Sequence, residues 1–285
     1  MFGFQRVGDM IWAAGDMMCK GFLLGGTSGR TTLNGEGVQH QDGHSHLLAS
    51  TVPNLKSYDP AFGFEIAVIV ADGIRRMYSE QQDVFYYLTV TNQNYPMPAM
   101  PVGVEQGVLD GMYCLERTPE AMVNLMGSGA IMAEVLIAKG LLEALGIRCN
   151  LWSVTSYNEL ARQGQAAERQ RLMAFGAHEE AAVPLVESIL ADEQGVFVAA
   201  SDYMKALPQS ITQWLPGPYV VLGTDGFGLS ETREALRNYF EVSAGWIGFA
   251  ALSLLSQHNL ADAGLAGDFA RDHGLSLEKP DPFYQ

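Results

Sequence analysis

"AMVNLMGSGAIMAEVLIAKGLLEALGIRCNLWSVTS", Ala121 to Ser156, decides the fold. Its first part, Ala121 to Gly129, is a short apolar run that closes on a Gly/Ser turn, the pattern of a buried strand. Ala130 to Gly146 then has the spacing of an amphipathic helix stopped at Gly146. Ile147 to Ser156 returns to a strand. Strand, helix and strand in succession predict parallel neighbours joined by a crossover helix. Downstream, "GVFVAAS" (Gly195 to Ser201) and "YVVLGTDGFG" (Tyr219 to Gly228) add two more short apolar runs bounded by turn residues. The expectation for residues 105–285 is therefore an α/β domain with a mainly parallel sheet.

Upstream, "NQNYPMPAMP", Asn92 to Pro101, breaks regular structure with its prolines and marks the approach to a domain boundary near residue 104. Before it, "DVFYYLTVT" (Asp83 to Thr91) reads as a strand. "YDPAFGFEIAVIVADGIRRMY" (Tyr58 to Tyr78) reads as a helix started by Asp59 and Pro60 and closed by Arg75 and Arg76. "RVGDMIWAAGDMM" (Arg6 to Met18) has a helical pattern. Helix, loop, helix and strand make part of an α/β layer, with little strand expected before Asp83. "GGTSGRTT" (Gly25 to Thr32) is no phosphate loop, because Leu24 stands where the first glycine belongs and Arg30 where the lysine belongs. It reads as a flexible connector in which Ser28 and Thr31 satisfy backbone groups. "GTDGFGLSETREALRNYF" (Gly223 to Phe240) reads as a turn followed by a helix capped by Ser230.

Composition narrows the function classes. The chain has 285 residues, 48% of them apolar, enough for a substantial core. A net charge of −15 opposes binding to nucleic acid, whose phosphates demand clustered Lys and Arg. No apolar run reaches the roughly 18 residues of a spanning helix, the closest being Trp246 to Leu255, so no membrane partner is expected. The start lacks the features of a secretory signal. Cys19, Cys114 and Cys149 are odd in number and form no CxxC pair, which suits reduced thiols and a cytoplasmic location.

"VQHQDGHSH", Val38 to His46, gathers three of the six histidines around Asp42. As a metal site, His40, Asp42, His44 and His46 would supply the nitrogen and oxygen ligands that suit zinc or iron, and the spacing of His44 and His46 would put both on one face of an extended strand. No HExxH helix or distant Cys/His pair completes such a motif. As an acid/base loop, the imidazoles would move protons or hold an anionic substrate, with Gly35 and Gly37 permitting the close turns. As a polar surface turn they would do nothing. Spacing alone leaves these readings open.

The strings themselves go further. "FGFQRVGDMIWAAGD", "GGTSGRTTLNGEGVQHQDGHSHLLASTVPN", "SYDPAFGFEIAVIVADGIRRMY", "NQNYPMPAMP", "SDYMK" and "VLGTDGFGLSETREALRNYFEV" together resemble the C-terminal portion of the homodimeric bacterial pyruvate dehydrogenases, thiamine-diphosphate enzymes of transketolase-like architecture. The resemblance runs from Phe2 to the C-terminus. It implies that residues 1–104 are the C-terminal part of a pyrimidine-binding domain and residues 105–285 a transketolase C-terminal-like domain. It also implies that the ligands of the diphosphate and Mg²⁺, and the glutamate that tautomerises the aminopyrimidine, precede this segment, so that the chain is expected to be inactive alone.

Carried over by position, the resemblance sets Phe2 against the aminopyrimidine with Phe4 as its neighbour. It makes His40 and His46 the catalytic candidates, with Asp42 as orienting carboxylate and His44 in the substrate channel; no metal is expected in the loop. The implied activity is oxidative decarboxylation of pyruvate and acetyl transfer to the lipoyl group of a dihydrolipoamide acetyltransferase, by a homodimer. The alternatives are a related enzyme acting on another 2-oxo acid or a ketose, for which Arg30 and Lys56 are the candidate phosphate ligands, and a non-catalytic dimerisation scaffold. The chain departs from the family pattern at Gln41, at Lys56 and at Leu207 and Pro208.

Overall fold

The computed structural model of the chain describes residues 2–27, 29–35, 38–174 and 182–284, and leaves the side chains of residues 2 and 3 undescribed. Among the described residues eight strands fall into two sheets. The first holds β1 (Phe22–Gly26), β2 (Leu55–Tyr58) and β3 (Phe85–Val90), in the order β1-β3-β2 and wholly parallel. The second holds β4 (Met112–Glu116), β5 (Val123–Gly127), β6 (Cys149–Val154), β7 (Val196–Ala200) and β8 (Tyr219–Leu222), in the order β4-β6-β5-β7-β8. Only β4, on the edge, runs antiparallel to its neighbour.

The helices are α1 (Phe2–Asp16), α2 (Ser45–Ala49), α3 (Gly63–Ile74), α4 (Glu105–Asp110), α5 (Met132–Ala144), α6 (Tyr157–Met173), α7 (Leu185–Leu190), α8 (Ala206–Gln209), α9 (Arg233–Tyr239), α10 (Ala244–Gln257) and α11 (Leu265–Asp272). The quoted strand, helix and strand are β5, α5 and β6, and the α/β expectation holds. β5 is buried along its whole length because both of its faces are covered. Val123 and Leu125 pack with α5 and α10, while Met126, one step along the alternation, packs with Trp152 and α6.

The sequence reading needs four corrections. The supposed connector begins inside β1, whose last two residues are Gly25 and Gly26, and its Arg30, Thr31 and Thr32 are buried. The strand β2 also precedes Asp83. The helix expected from Asp59 begins at Gly63, where Glu65 accepts hydrogen bonds from the N–H groups of Ala61 (2.6 Å) and Phe62 (3.0 Å). Asp59 is instead buried between the two sheets. The cap of α9 is Thr232, which accepts from Ala235 N–H at 3.2 Å, and not Ser230. The stretch Arg233–Gln257 is apolar and long enough by composition to span a membrane, but it divides into α9 and α10, and half of its most apolar window is buried in the protein.

The carboxyl ends of both parallel sheets meet. Asp59, after β2, receives Gly129 N–H on its carbonyl (3.0 Å) and donates its own N–H to the carbonyl of Thr155, after β6 (2.8 Å). Gly129, at φ +47°, has no room for a side chain, since a Cβ there would lie 2.4 Å from both carboxylate oxygens of Asp59. The carboxyl edge of a parallel sheet is where open α/β folds place their ligands.

Candidate functional site

A pocket of about 530 Å³ opens at the carboxyl end of β1. Phe4, Val7 and Ile11 of α1 line one side, Leu23 to Thr27 the floor, and His40, Asp42 and Ser45 of the histidine loop the far wall, with Tyr87 behind. Phe4 meets the Tyr87 ring edge-on at 4.8 Å. Three residues singled out from the sequence, Phe4, His40 and Asp42, therefore share one cavity. The side chain of Phe2, like Ser28 and Gly37, lies outside the described residues.

The other histidines point elsewhere. His44 Nδ1 lies 2.7 Å from the Gln5 amide nitrogen, and its Nε2 lies 3.4 Å from Arg30 Nη2. Burial and the neighbouring Arg30 charge lower its pKa, against the pull of Asp42 and Asp225. His46 belongs to α2 rather than to an extended strand, so it does not share a face with His44, and it is buried behind the pocket. Its ring packs edge-on to Tyr203 at 4.6 Å. Burial pulls its pKa down to about 4, with Asp42 opposing. Asp42 accepts the N–H groups of His44 and Ser45, each at 3.0 Å, and the Ser45 hydroxyl. Its carboxylate thus caps the start of α2.

Behind the wall runs a second group that sequence reasoning missed. Thr89, at the end of β3, donates its hydroxyl proton to Asp59 Oδ1 at 2.6 Å, so its oxygen accepts from His46 Nε2 at 3.0 Å. Burial raises the Asp59 carboxyl to about 7; Asp202 and Glu65 add to the rise, and hydrogen bonds from Thr89 and Ser128 oppose it. Nothing in a lone Asp–Pro or a strand threonine signals these pairings across 30 and 43 residues of chain.

Arg30 is also buried, 2% exposed, with Asp42, Asp202 and Asp225 as its charged neighbours. Gly43 makes room for it: a Cβ there would lie 2.2 Å from Nη2. Gly43→Ala is expected to lower stability by about 2 kcal/mol through overpacking. In an Arg30→Ala background the same change should cost almost nothing, which a double-mutant cycle of urea unfolding measures. Gln41 is fully buried and bridges to Leu229, accepting its N–H and donating to its carbonyl, both at 2.8 Å. A carboxylate could not make the second bond, which gives the departure at this position a physical reason. Lys56 is paired with Glu159 of α6. Neither Arg30 nor Lys56 lines the pocket.

Residues 1–98 match the family described as the pyruvate dehydrogenase E1 component middle domain, and residues 111–243 match the transketolase-like C-terminal domain. A pyruvate dehydrogenase E1 component of Pseudomonas aeruginosa is 49% identical over 99% of this chain. The chain spans about a third of that relative, 32% of its length. Among solved structures, a mutant transketolase from Pichia stipitis superposes with a TM-score of 0.66 at 15% identity, over 92% of this chain and 35% of that one. A split-gene transketolase, solved as an inactive β4 tetramer, superposes with a TM-score of 0.58 at 17% identity, over 82% of this chain and 67% of that one. At these identities the superpositions show a shared transketolase-like fold.

Proposed function

The chain belongs with the pyruvate dehydrogenase E1 components, matching their middle domain over residues 1–98 and a transketolase-like C-terminal domain over residues 111–243, and from that premise we propose that it forms the aminopyrimidine side of a thiamine-diphosphate site acting on pyruvate. The observation that carries this reading is the meeting of Phe4, His40 and Asp42 in one cavity at the carboxyl edge of the first sheet. The lining suits the ring end of the cofactor. Phe4, Ile11, Leu23 and Tyr87 offer apolar surface to a flat heterocycle, and among the described residues no Lys or Arg lines the cavity to hold a diphosphate. Among the described residues no cluster fits a metal ion either. By the resemblance to E1 components, of whose length this chain spans about a third, the diphosphate and Mg²⁺ would be held by an amino-terminal region, on the same or another polypeptide. The split-gene transketolase, inactive as its β4 tetramer, is a precedent for the second arrangement.

When bound, the cofactor supplies a carbon nucleophile and a sink for the electrons released with CO₂. The chain's own residues do the rest. His40 presents an imidazole from the pocket wall, where it donates a hydrogen bond or a proton to the substrate's oxygens as charge develops on them. Asp42 keeps the wall in place by holding the His44 and Ser45 N–H groups. Phe4 and Tyr87 position the ring and exclude water. In the complete assembly the product acetyl group would pass to the lipoyl group of a dihydrolipoamide acetyltransferase, and the site would be completed in a homodimer.

The test is titration of the purified chain with thiamine diphosphate and Mg²⁺, alone and mixed with the amino-terminal part of the Pseudomonas aeruginosa relative, followed by a pyruvate decarboxylation assay. Turnover is expected in the mixture, and His40→Ala is expected to reduce it roughly 10²- to 10⁴-fold with the circular dichroism unchanged. A mixture that releases no CO₂, or a fully active His40→Ala, overturns the reading.

A further inference from the structure

The histidine loop is gripped by a turn that belongs to the other sheet. Asp202, two residues beyond β7 and 1% exposed, accepts Thr31 N–H at Oδ1 (3.0 Å) and the Thr32 hydroxyl at Oδ2 (2.8 Å). Its carbonyl accepts Arg30 N–H (3.2 Å) and the Thr224 hydroxyl (2.8 Å). One residue on, the Tyr203 ring stands against His46. Met204 N–H then donates to the carbonyl of Gly43 at 3.0 Å. Three consecutive residues thus hold two separate arms, the Arg30–Thr32 arm and the Gly43–His46 arm, and the pocket-lining His40 and Asp42 lie on the chain between them.

We infer that the Ser201–Lys205 turn is a positioning element for the histidine loop, with Asp202 as its central positioning residue. Among the described residues the Asp202 carboxylate hydrogen bonds only to Thr31 and Thr32, and to nothing in the sheet it follows. Its negative charge also faces Arg30, whose guanidinium reaches the His44 ring. A residue whose side-chain bonds all cross to one loop sets the place of that loop, while its carbonyl, shared between Arg30 N–H and the Thr224 hydroxyl, ties it to its own side. The carboxyl-terminal domain, in this account, fixes the geometry of the site as well as supporting the fold. The functional weight of the inference rests on the loop being the site's wall; the positioning itself does not.

Amide hydrogen exchange on the whole chain tests it. Asp202→Asn is expected to raise exchange in residues 30–46 roughly tenfold or more, the size of effect that follows loss of a charge-assisted hydrogen bond, while β5 and β6 keep their protection. Thr32→Val removes one donor with little change of volume and should act in the same direction but less, and it serves if Asp202→Asn does not fold. Glu65→Gln, at another buried carboxylate between the sheets, is the control and should leave the loop protected. Exchange raised evenly across the chain, or equally by Glu65→Gln, or unchanged at 30–46, overturns the inference. Assayed for pyruvate turnover with the amino-terminal region, a loosened Asp202→Asn loop that still gives wild-type rates would uphold the positioning and refute the functional reading of the loop.

Discussion

Replacing Glu65 with leucine is expected to lower the unfolding free energy by about 3–5 kcal/mol, because it strands four buried donors at once. Glu65 is fully buried in the first turn of α3. Its Oε2 takes the Ala61 and Phe62 N–H groups, and its Oε1 takes the Tyr113 hydroxyl at 2.7 Å and the Ser153 hydroxyl at 2.6 Å. The carboxylate is thus a helix cap for one sheet's layer and a clasp on β4 and β6 of the other. Burial raises its pKa even against these four bonds. Glutamine should be tolerated far better: its carbonyl can serve the two backbone N–H groups while its amide donates to the two hydroxyl oxygens. Urea unfolding midpoints of the two variants check this. A leucine variant within about 1 kcal/mol of wild type would show that the clasp is dispensable, since stranded donors cost at least that much each.

How much of this was legible in the sequence follows from what each element buries. β5, β6 and β7 carry apolar runs because both of their faces are covered, and such runs stand out. β1 did not, because "FLLGG" is an edge strand with Leu24 66% exposed and glycines at its end, where Tyr87 comes close to Gly25. β4 pairs antiparallel at the edge of the second sheet and is too short to alternate visibly. The helix start was misplaced because Asp59 and Pro60 have the composition of a cap, whereas Asp59 is held between sheets by Thr155 and Gly129, contacts that local sequence does not encode. The site divides the same way. Phe4, His40 and Asp42 were reachable through clustered residues and resemblance. Arg30, Thr89 and Asp202 are ordinary residue types whose roles arise only from contacts across as many as 172 positions.

The two titrating groups that Thr89 joins should hide one another's pH dependence. Asp59 is raised in the folded chain to about 7 from a usual 3.8, so the folded state binds more protons than the unfolded state between those values. Its contribution to stability therefore falls as pH rises through that window. His46 is lowered to about 4 from 6.5, so between those values the unfolded state binds the extra proton, and stability rises with pH. From about pH 4 to 6.5 the two slopes, each about 1.4 kcal/mol per pH unit, oppose and nearly cancel. Wild type should be almost flat there as far as this pair is concerned. Asp59→Asn keeps an acceptor for Thr89 and uncovers the histidine slope, so the variant should gain about 3 kcal/mol between pH 4 and 6.5 relative to wild type. His46→Gln keeps a donor for Thr89 and uncovers the aspartate slope, losing a similar amount over the same range. Urea unfolding of the three proteins at pH 4.5 and 6.5 measures both signs. Variants whose pH profiles run parallel to wild type would mean that neither group changes its proton affinity on folding, and that the His46–Thr89–Asp59 chain is bonded without being electrostatically strained.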